Sequence, residues 1–227
     1  MSTIKKALQE LFEHSGDATI SQQQAAYMKN VCIFAGVKTP LRKVLQKKVF
    51  ANFIPKTTDE LIRNAQQLWN SPYREMQYSA LDYLEKHKKL FSPKVFLILE
   101  RMSEQIPWWD SIDYIATRLI GPLVIKYPQL LANIDAWKKN DSIWKHRIAI
   151  IFQLKYKKKT DAVRLFNTII QYTQRTYEQP FWINKAAGWA LREYSKTNPD
   201  VVRLFLDEQD TMLSPLTIKE ASKYLFQ

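Results

Sequence analysis

The stretch Trp144-Lys145-His146-Arg147-Ile148-Ala149 returns 38 residues later as Trp182-Ile183-Asn184-Lys185-Ala186-Ala187. Each copy has an aromatic residue, a basic residue three positions later and a small residue two positions after that. Aromatic residues at Tyr73 and Trp109 extend the series with spacings of 36 and 35 residues. A period near 36 is typical of an α-solenoid, in which paired helices bury their apolar faces against neighbouring repeats. An irregular helical bundle is the competing fold.

Composition also favours helices. The 227 residues include four glycines and ten prolines, and 46% are apolar, so a hairpin-rich fold or a glycine-rich phosphate loop is not expected. We predict a first helix over residues 4–14, and a second from Ser21 to about Ala35 that ends before Gly36. Thr39 as N-cap and Pro40 as first residue begin the next. Further helix starts are predicted at Thr58, Pro72, Pro93, Pro107, Pro128, Ser142, Thr160, Pro180, Pro199 and Pro215, with a break or kink at Pro122.

The chain is predicted to be one domain, residues 1–227, in the cytoplasm. It starts without an apolar signal region, and it contains no apolar run long enough to span a membrane. Cys32 is the sole cysteine, which excludes disulfides and indicates a reducing compartment. His14, His87 and His146 lack ligand spacing and are predicted at the surface, so neither a metal nor a cofactor is expected.

The charge points to a polyanionic partner. The net charge is +12 and the isoelectric point is near 9.6, which suggests nucleic acid. In a solenoid, equivalent helices line one concave surface. If the four periodic aromatic residues open such helices, that surface carries or borders Arg74, Lys145, Arg147, Lys185, Arg192, Trp109, Asp113 and Trp189. The tail after Asp200 is acidic and includes Glu220, so the positive charge is expected on one side of the molecule. Trp69 and Trp137 are predicted in the core.

The stretch Trp108-Trp109-Asp110-Ser111-Ile112-Asp113 suits chemistry at a cation. Helical periodicity puts Trp109 and Asp113 on one side of the helix that follows Pro107. A carboxylate and an aromatic face can together stabilise a developing positive charge. The alternative is structural: both acids would favour the helix N-terminus through the macrodipole, and both tryptophans would lie in the core.

Four segments resemble the bacterial DNA alkylation repair family known as AlkD, alkylpurine DNA glycosylases built of HEAT-like repeats. The first two are Tyr27-Met28-Lys29-Asn30 with Gly36-x-x-Thr39-Pro40-x-Arg42, and Trp108 to Asp113. The others run from Ile143 to Lys157, around Trp144-x-x-Arg147-x-Ala149, and from Gly188 to Asp200, around Trp189-x-Leu191-Arg192. The resemblance spans the chain from the first helix to the last.

The resemblance implies a C-shaped, right-handed solenoid whose basic concave face holds duplex DNA. It implies excision of cationic alkylated purines, such as 3-methyladenine and 7-methylguanine, with no flipping of the base into a protein pocket. Carried over by position, the catalytic residues are Trp109, Asp113 and Trp189. Arg147 matches a phosphate contact beside the lesion, against an ordinary salt bridge as the alternative. The remaining DNA-contacting residues are Tyr27, Lys38, Thr39, Arg42, Lys185 and Arg192, with Lys38 standing where the family has an uncharged polar residue.

The residues agree with that reaction. Alkylation at N3 or N7 makes the purine a cationic leaving group, so no general acid is needed and the carboxylate can stabilise an oxocarbenium-like sugar and aim a water. The alternatives are a catalytically silent solenoid that binds branched or distorted duplexes, and a protein-interaction scaffold. We expect a monomer, associated with the nucleoid during repair.

Overall fold

The computed structural model describes residues 3–173 and 180–225, and these are helical or in turns apart from an isolated bridge between Ile33 and Tyr73. The chain divides into two compact units, Met1–Ser111 and Ile112–Gln227, which we call the first and second units. This confirms the all-helical prediction. The prediction of one domain over residues 1–227 stays a prediction.

The first unit is a stack of short amphipathic helices. Its helices are α1 (Ile4–Ser15), α2 (Ala18–Tyr27), α3 (Thr39–Phe50), α4 (Thr58–Trp69), α5 (Arg74–Lys86) and α6 (Lys94–Met102), with a 3-10 turn at Lys88–Leu90; α7 (Trp109–Tyr114) begins in this unit and ends in the second. α1 packs on α3 and α4, and α4 packs on α5 and α6. Contacts between helices that are one to three places apart along the chain are typical of helical repeats.

The second unit is likewise built of short helices. It contains a π-helical segment (Ile115–Ile120), α8 (Gly121–Lys126), α9 (Leu131–Ala136), α10 (Ile143–Ile151), α11 (Ala162–Thr173), α12 (Pro180–Ser195), α13 (Pro199–Glu208) and α14 (Pro215–Ala221), with 3-10 turns at Pro128–Leu130, Trp137–Lys139, Lys157–Lys159 and Ser222–Tyr224. α12 packs on α10, α11, α13 and α14. Within the described residues, no helix is long and apolar enough to cross a membrane.

The periodic aromatic residues open helices as predicted. Tyr73 is the N-cap of α5, Trp109 is the first residue of α7, and Trp144 and Trp182 lie in the first turns of α10 and α12. Trp69 and Trp137 are buried, as expected for core residues.

The second predicted helix is wrong at both ends. Asp17, not Ser21, caps α2, because its side chain accepts a hydrogen bond from the amide of Ile20 (2.9 Å), while the Ser21 hydroxyl donates to the carbonyl of Phe34 (2.7 Å). The helix stops at Tyr27, since Lys29 and Asn30 both have φ of 57°, a left-handed conformation that ends a helix.

The sequence also placed several polar residues wrongly at the surface. His146 is fully buried; its ring stacks on Tyr172, with centroids 4.1 Å apart, and its Nε2 lies 3.2 Å from the carbonyl oxygen of Trp137. Arg74, Lys145 and Arg147 are buried as well. A helical residue can point into the stack when its polar atoms find partners there, and periodicity does not reveal those partners.

Candidate functional site

Asp113 and Arg147 form a bidentate ion pair in the second unit. Nε of Arg147 donates to Oδ1 of Asp113 (2.7 Å), and Nη2 donates to Oδ2 (2.8 Å). Arg147 comes from α10, whose start is capped by the Ser142 hydroxyl. Its Nη1 donates to the carbonyl of Trp182 (2.7 Å). This parallel two-bond geometry is the strongest form of arginine–carboxylate pairing.

The two side chains of the pair differ in exposure. The side chain of Asp113 is 17% exposed, against 4% for Arg147, so the aspartate is the more accessible member of the pair. The phosphate contact predicted for Arg147 stays a prediction, and its guanidinium is here bonded to Asp113 and Trp182.

Trp109 and Tyr27 form a partly open aromatic surface in the first unit. Trp109 is half-buried and packs, with Trp108, against the buried cluster of Met28, Cys32 and Phe34. The ring of Tyr27 meets Trp109 edge-on, with centroids 6.3 Å apart and planes at 74°. Tyr27 is 70% exposed, so this surface is open to solvent.

Lys185 and Arg192 share a carboxylate that the sequence analysis had assigned to the acidic tail. Glu220 accepts hydrogen bonds from Nζ of Lys185 (2.6 Å), from Nη1 of Arg192 and from Nζ of Lys223 (2.9 Å). The hydrogen bond from Lys185 is the main cause that lowers the pKa of Glu220 to about 2. Three cations around one carboxylate leave a net positive cluster, in which Lys185 is 39% exposed.

Trp189 lies on α12 between these two cations and is half-buried. The residue before it, Gly188, is where α12 and α14 come closest. A Cβ at position 188 would lie 2.5 Å from Cβ of Glu220. Glycine is therefore required for the helix contact beside Trp189.

The DNA-contacting residues predicted around α3 differ in exposure. Lys38 and Thr39 are exposed at the start of the helix, with Lys38 as N-cap, one residue earlier than predicted. Arg42 is buried, and its Nη1 donates to Asp82 (2.7 Å). The loop before α3 is held by Glu75, whose carboxylate accepts the amides of residues 35–37 at 3.0 Å each. The sequence pattern alone does not reveal this role of Glu75.

Among the described residues, several ion pairs join residues that are about one repeat apart within a unit. They include Arg42–Asp82, Arg74–Asp110, Asp113–Arg147 and Lys185–Glu220, with separations of 40, 36, 34 and 35 residues. These separations match the aromatic period. Opposite charges at that spacing are the sequence signal for candidate pairs, but the spacing does not show which side chains are buried. Among the described residues, no cluster of histidine, cysteine or acidic side chains is arranged to hold a metal ion.

Known proteins match along nearly the whole chain. A family model described as DNA alkylation repair enzyme matches residues 8–225. A solved structure described as a predicted DNA alkylation repair enzyme from Enterococcus faecalis is 33% identical, covers 93% of this chain and 97% of its own, and superposes with a TM-score of 0.83. No curated protein matches the chain. The matches agree with the all-helical fold and indicate a role in the repair of alkylated DNA.

Proposed function

Because this chain belongs to the DNA alkylation repair enzyme family, we propose that it is an alkylpurine DNA glycosylase of the AlkD type. It hydrolyses the N-glycosidic bond of cationic purines, such as 3-methyladenine and 7-methylguanine, in duplex DNA. The base is released without entering a protein pocket. The protein acts as a monomer and needs no cofactor.

The reaction depends on stabilising the sugar cation, and it needs no general acid to protonate the leaving base. The bond between C1′ and the purine nitrogen breaks, its electron pair neutralises the cationic base, and an oxocarbenium-like sugar remains. A water then adds to C1′ and gives up a proton. Asp113 faces the sugar cation, orients the water and accepts that proton.

The Asp113–Arg147 pair carries this proposal. A carboxylate about 4 Å from a positive charge contributes roughly 4 kcal/mol at an effective dielectric near 20. That is about a thousandfold in rate if the interaction acts only in the transition state. Arg147 fixes both carboxylate oxygens by its two bonds, so Asp113 needs little reorganisation as the charge develops.

Tryptophans supply the rest of the proposed site. Trp109 stands four residues before Asp113 on α7, and Trp189 is half-buried on α12. Each indole packs on the deoxyribose and stabilises its partial positive charge. Tyr27, Lys38, Thr39, Lys185 and Arg192 contact the duplex around the lesion. The contacts expected of Arg42 and Arg147 stay predictions, because both side chains are buried in ion pairs.

The test is single-turnover release of 7-methylguanine from methylated duplex DNA. We expect Asp113→Asn to lower the rate about a hundredfold to a thousandfold and to leave duplex affinity nearly unchanged. Asp135→Asn is the matched control, because Asp135 also pairs with an arginine in the second unit, Arg164 at 2.5 Å, outside the proposed site. Undiminished release by Asp113→Asn, or equal losses in both variants, would contradict the role of Asp113.

A catalytically silent DNA-binding protein is the second candidate. The observation that favours it is that Arg147 already satisfies both oxygens of Asp113, as a purely structural pair would. This candidate predicts no base release by the wild type, with salt-dependent duplex binding intact. Release by the wild type that is lost in Asp113→Asn would exclude it.

A further inference from the structure

Arg74 is fully buried at the start of α5, and its guanidinium uses all five of its N–H groups. Nε and Nη2 donate to the two carboxylate oxygens of Asp110 (3.0 and 2.6 Å). Nη2 also donates to the Ser111 hydroxyl (2.7 Å), and Nη1 donates to Gln77 (2.6 Å) and to the carbonyl of Ile106 (3.0 Å). A buried charge bonded in this way is held in a single orientation.

Three of these acceptors flank Trp109 in the chain. Ile106 precedes it, and Asp110 and Ser111 follow it directly. The Ser111 hydroxyl in turn donates to the carbonyl of Trp108 (3.1 Å). Arg74 therefore holds the Ile106 carbonyl before Trp109 and the side chains of the two residues after it, and its influence on the indole passes through these attachments.

The backbone that leads into α7 is strained at Ile106. This residue has φ of 50° and its side chain is 48% exposed. The left-handed region is unfavourable for a β-branched residue, and such strain persists where neighbours hold it. Burial of the isoleucine side chain does not account for the conformation, whereas the hydrogen bond from Arg74 to its carbonyl does.

Tyr78 strengthens the same attachment. Its hydroxyl donates to Oδ2 of Asp110 at 2.5 Å, and its ring packs, like Trp109, against the cluster of Met28, Cys32 and Phe34. Burial is the main cause that raises the pKa of Tyr78 above its ordinary value, so the phenol remains a donor at neutral pH. Two side chains of α5 thus converge on Asp110.

We propose that Arg74 is a positioning residue that sets the orientation of the Trp109 indole against the deoxyribose. This inference rests on the function proposed above. Lysine would keep the charge and replace the planar fork by a single ammonium. The start of α7 would then relax, and Trp109 would leave the orientation in which it packs on the sugar.

The test combines a spectroscopic and a kinetic measurement on Arg74→Lys. In protein labelled with 5-fluorotryptophan, the fluorine resonance of Trp109 is assigned by its loss in Trp109→Phe. We expect this resonance to shift or broaden in Arg74→Lys. Single-turnover release of 7-methylguanine should fall about tenfold to a hundredfold, as expected for a group displaced by about 1 Å, with less than about a threefold change in duplex affinity.

The matched control is Leu84→Ala, which removes a fully buried leucine of the same helix. It should lower thermal stability at least as much as Arg74→Lys and leave the Trp109 resonance and the release rate unchanged. An unmoved resonance in Arg74→Lys, or equal effects in both variants, would overturn the inference.

Two further outcomes are distinguishable. If the wild type releases no base, the proposed function fails, and the Trp109 resonance alone decides whether Arg74 positions the indole. If Arg74→Lys does not fold, Ser111→Ala replaces it, because it removes one acceptor and leaves the Arg74–Asp110 pair in place. Ser111→Ala must then shift or broaden the same resonance relative to the wild type, and no change would overturn the inference.

Discussion

At the scale of single residues, the surroundings of a carboxylate decide what it can do. Glu220 is buried under Lys185, Arg192 and Lys223, so its charge is balanced within the protein. Asp113 is paired with Arg147 and remains partly exposed. The first arrangement stabilises the contact between α12 and α14, and the second leaves the aspartate partly exposed to solvent.

Glu220 should make stability depend on pH in the acid range. Its pKa is lowered from 4.5 to about 2 in the folded protein, so its stabilisation is complete above pH 4.5 and is lost as the pH falls towards 2. The loss is about 3 kcal/mol. Urea unfolding between pH 6 and pH 2 should show a steeper decrease for the wild type than for Glu220→Gln. Parallel curves would contradict the assignment.

At the scale of elements, side-chain hydrogen bonds hold the chain before and after the π-helical segment that follows Asp113. The sequence predicted a break or kink at Pro122, and the chain instead forms the π-helical segment Ile115–Ile120 just before it. Proline lacks the amide that would continue the regular ladder. Arg147 holds Asp113 before this segment, and the Tyr156 hydroxyl donates to the carbonyl of Gly121 after it (2.7 Å).

Gly121→Ala tests this attachment. An added Cβ would lie 2.5 Å from the carbonyl oxygen of Phe152, so the substitution should destabilise the protein by about 1–3 kcal/mol. An ordinary glycine-to-alanine change within a helix would instead stabilise by roughly 0.5–1 kcal/mol. The sign of the change in urea midpoint therefore distinguishes a close contact at Gly121 from an ordinary helical glycine.

Tyr156→Phe should lower the free energy of unfolding by about 1 kcal/mol through its lost hydrogen bond.

At the scale of the whole molecule, the net charge of +12 does not tell which cationic side chains a duplex can contact. Arg42, Arg74 and Arg147 are buried in ion pairs. Exposed lysines such as Lys38 at the start of α3 are therefore expected to supply much of the phosphate contact. Salt dependence measures this number directly, because each neutralised phosphate releases counterions.

Duplex affinity should fall steeply with salt. Six to ten phosphate contacts give a slope of log K against log salt of roughly −5 to −9, and Lys38→Ala should reduce its magnitude by about one. Lys94→Ala is the control, because Lys94 lies on α6 and pairs with Asp59 (3.0 Å). A slope near zero in fluorescence anisotropy titrations would favour the protein-interaction scaffold.

The sequence by itself determined the helical class, the repeat period and the helix starts at Thr58, Ser142, Pro199 and Pro215. Helix capping acts over a few residues, and the aromatic residues recur at a fixed interval, so both kinds of feature can be identified in the sequence. The structure confirms that Tyr73, Trp109, Trp144 and Trp182 lie at helix starts. The catalytic and DNA-contacting roles assigned by resemblance stay predictions.

Only the tertiary structure decided the partners of the buried charges. Arg74 and Arg147 were expected at the surface, and each instead lies inside a unit on an aspartate about one repeat away. The period gives the distance between repeats along the chain, but it does not give the direction in which a side chain points. A buried charge costs more free energy than its helix position contributes, so its location depends on finding an opposite charge across the helix stack.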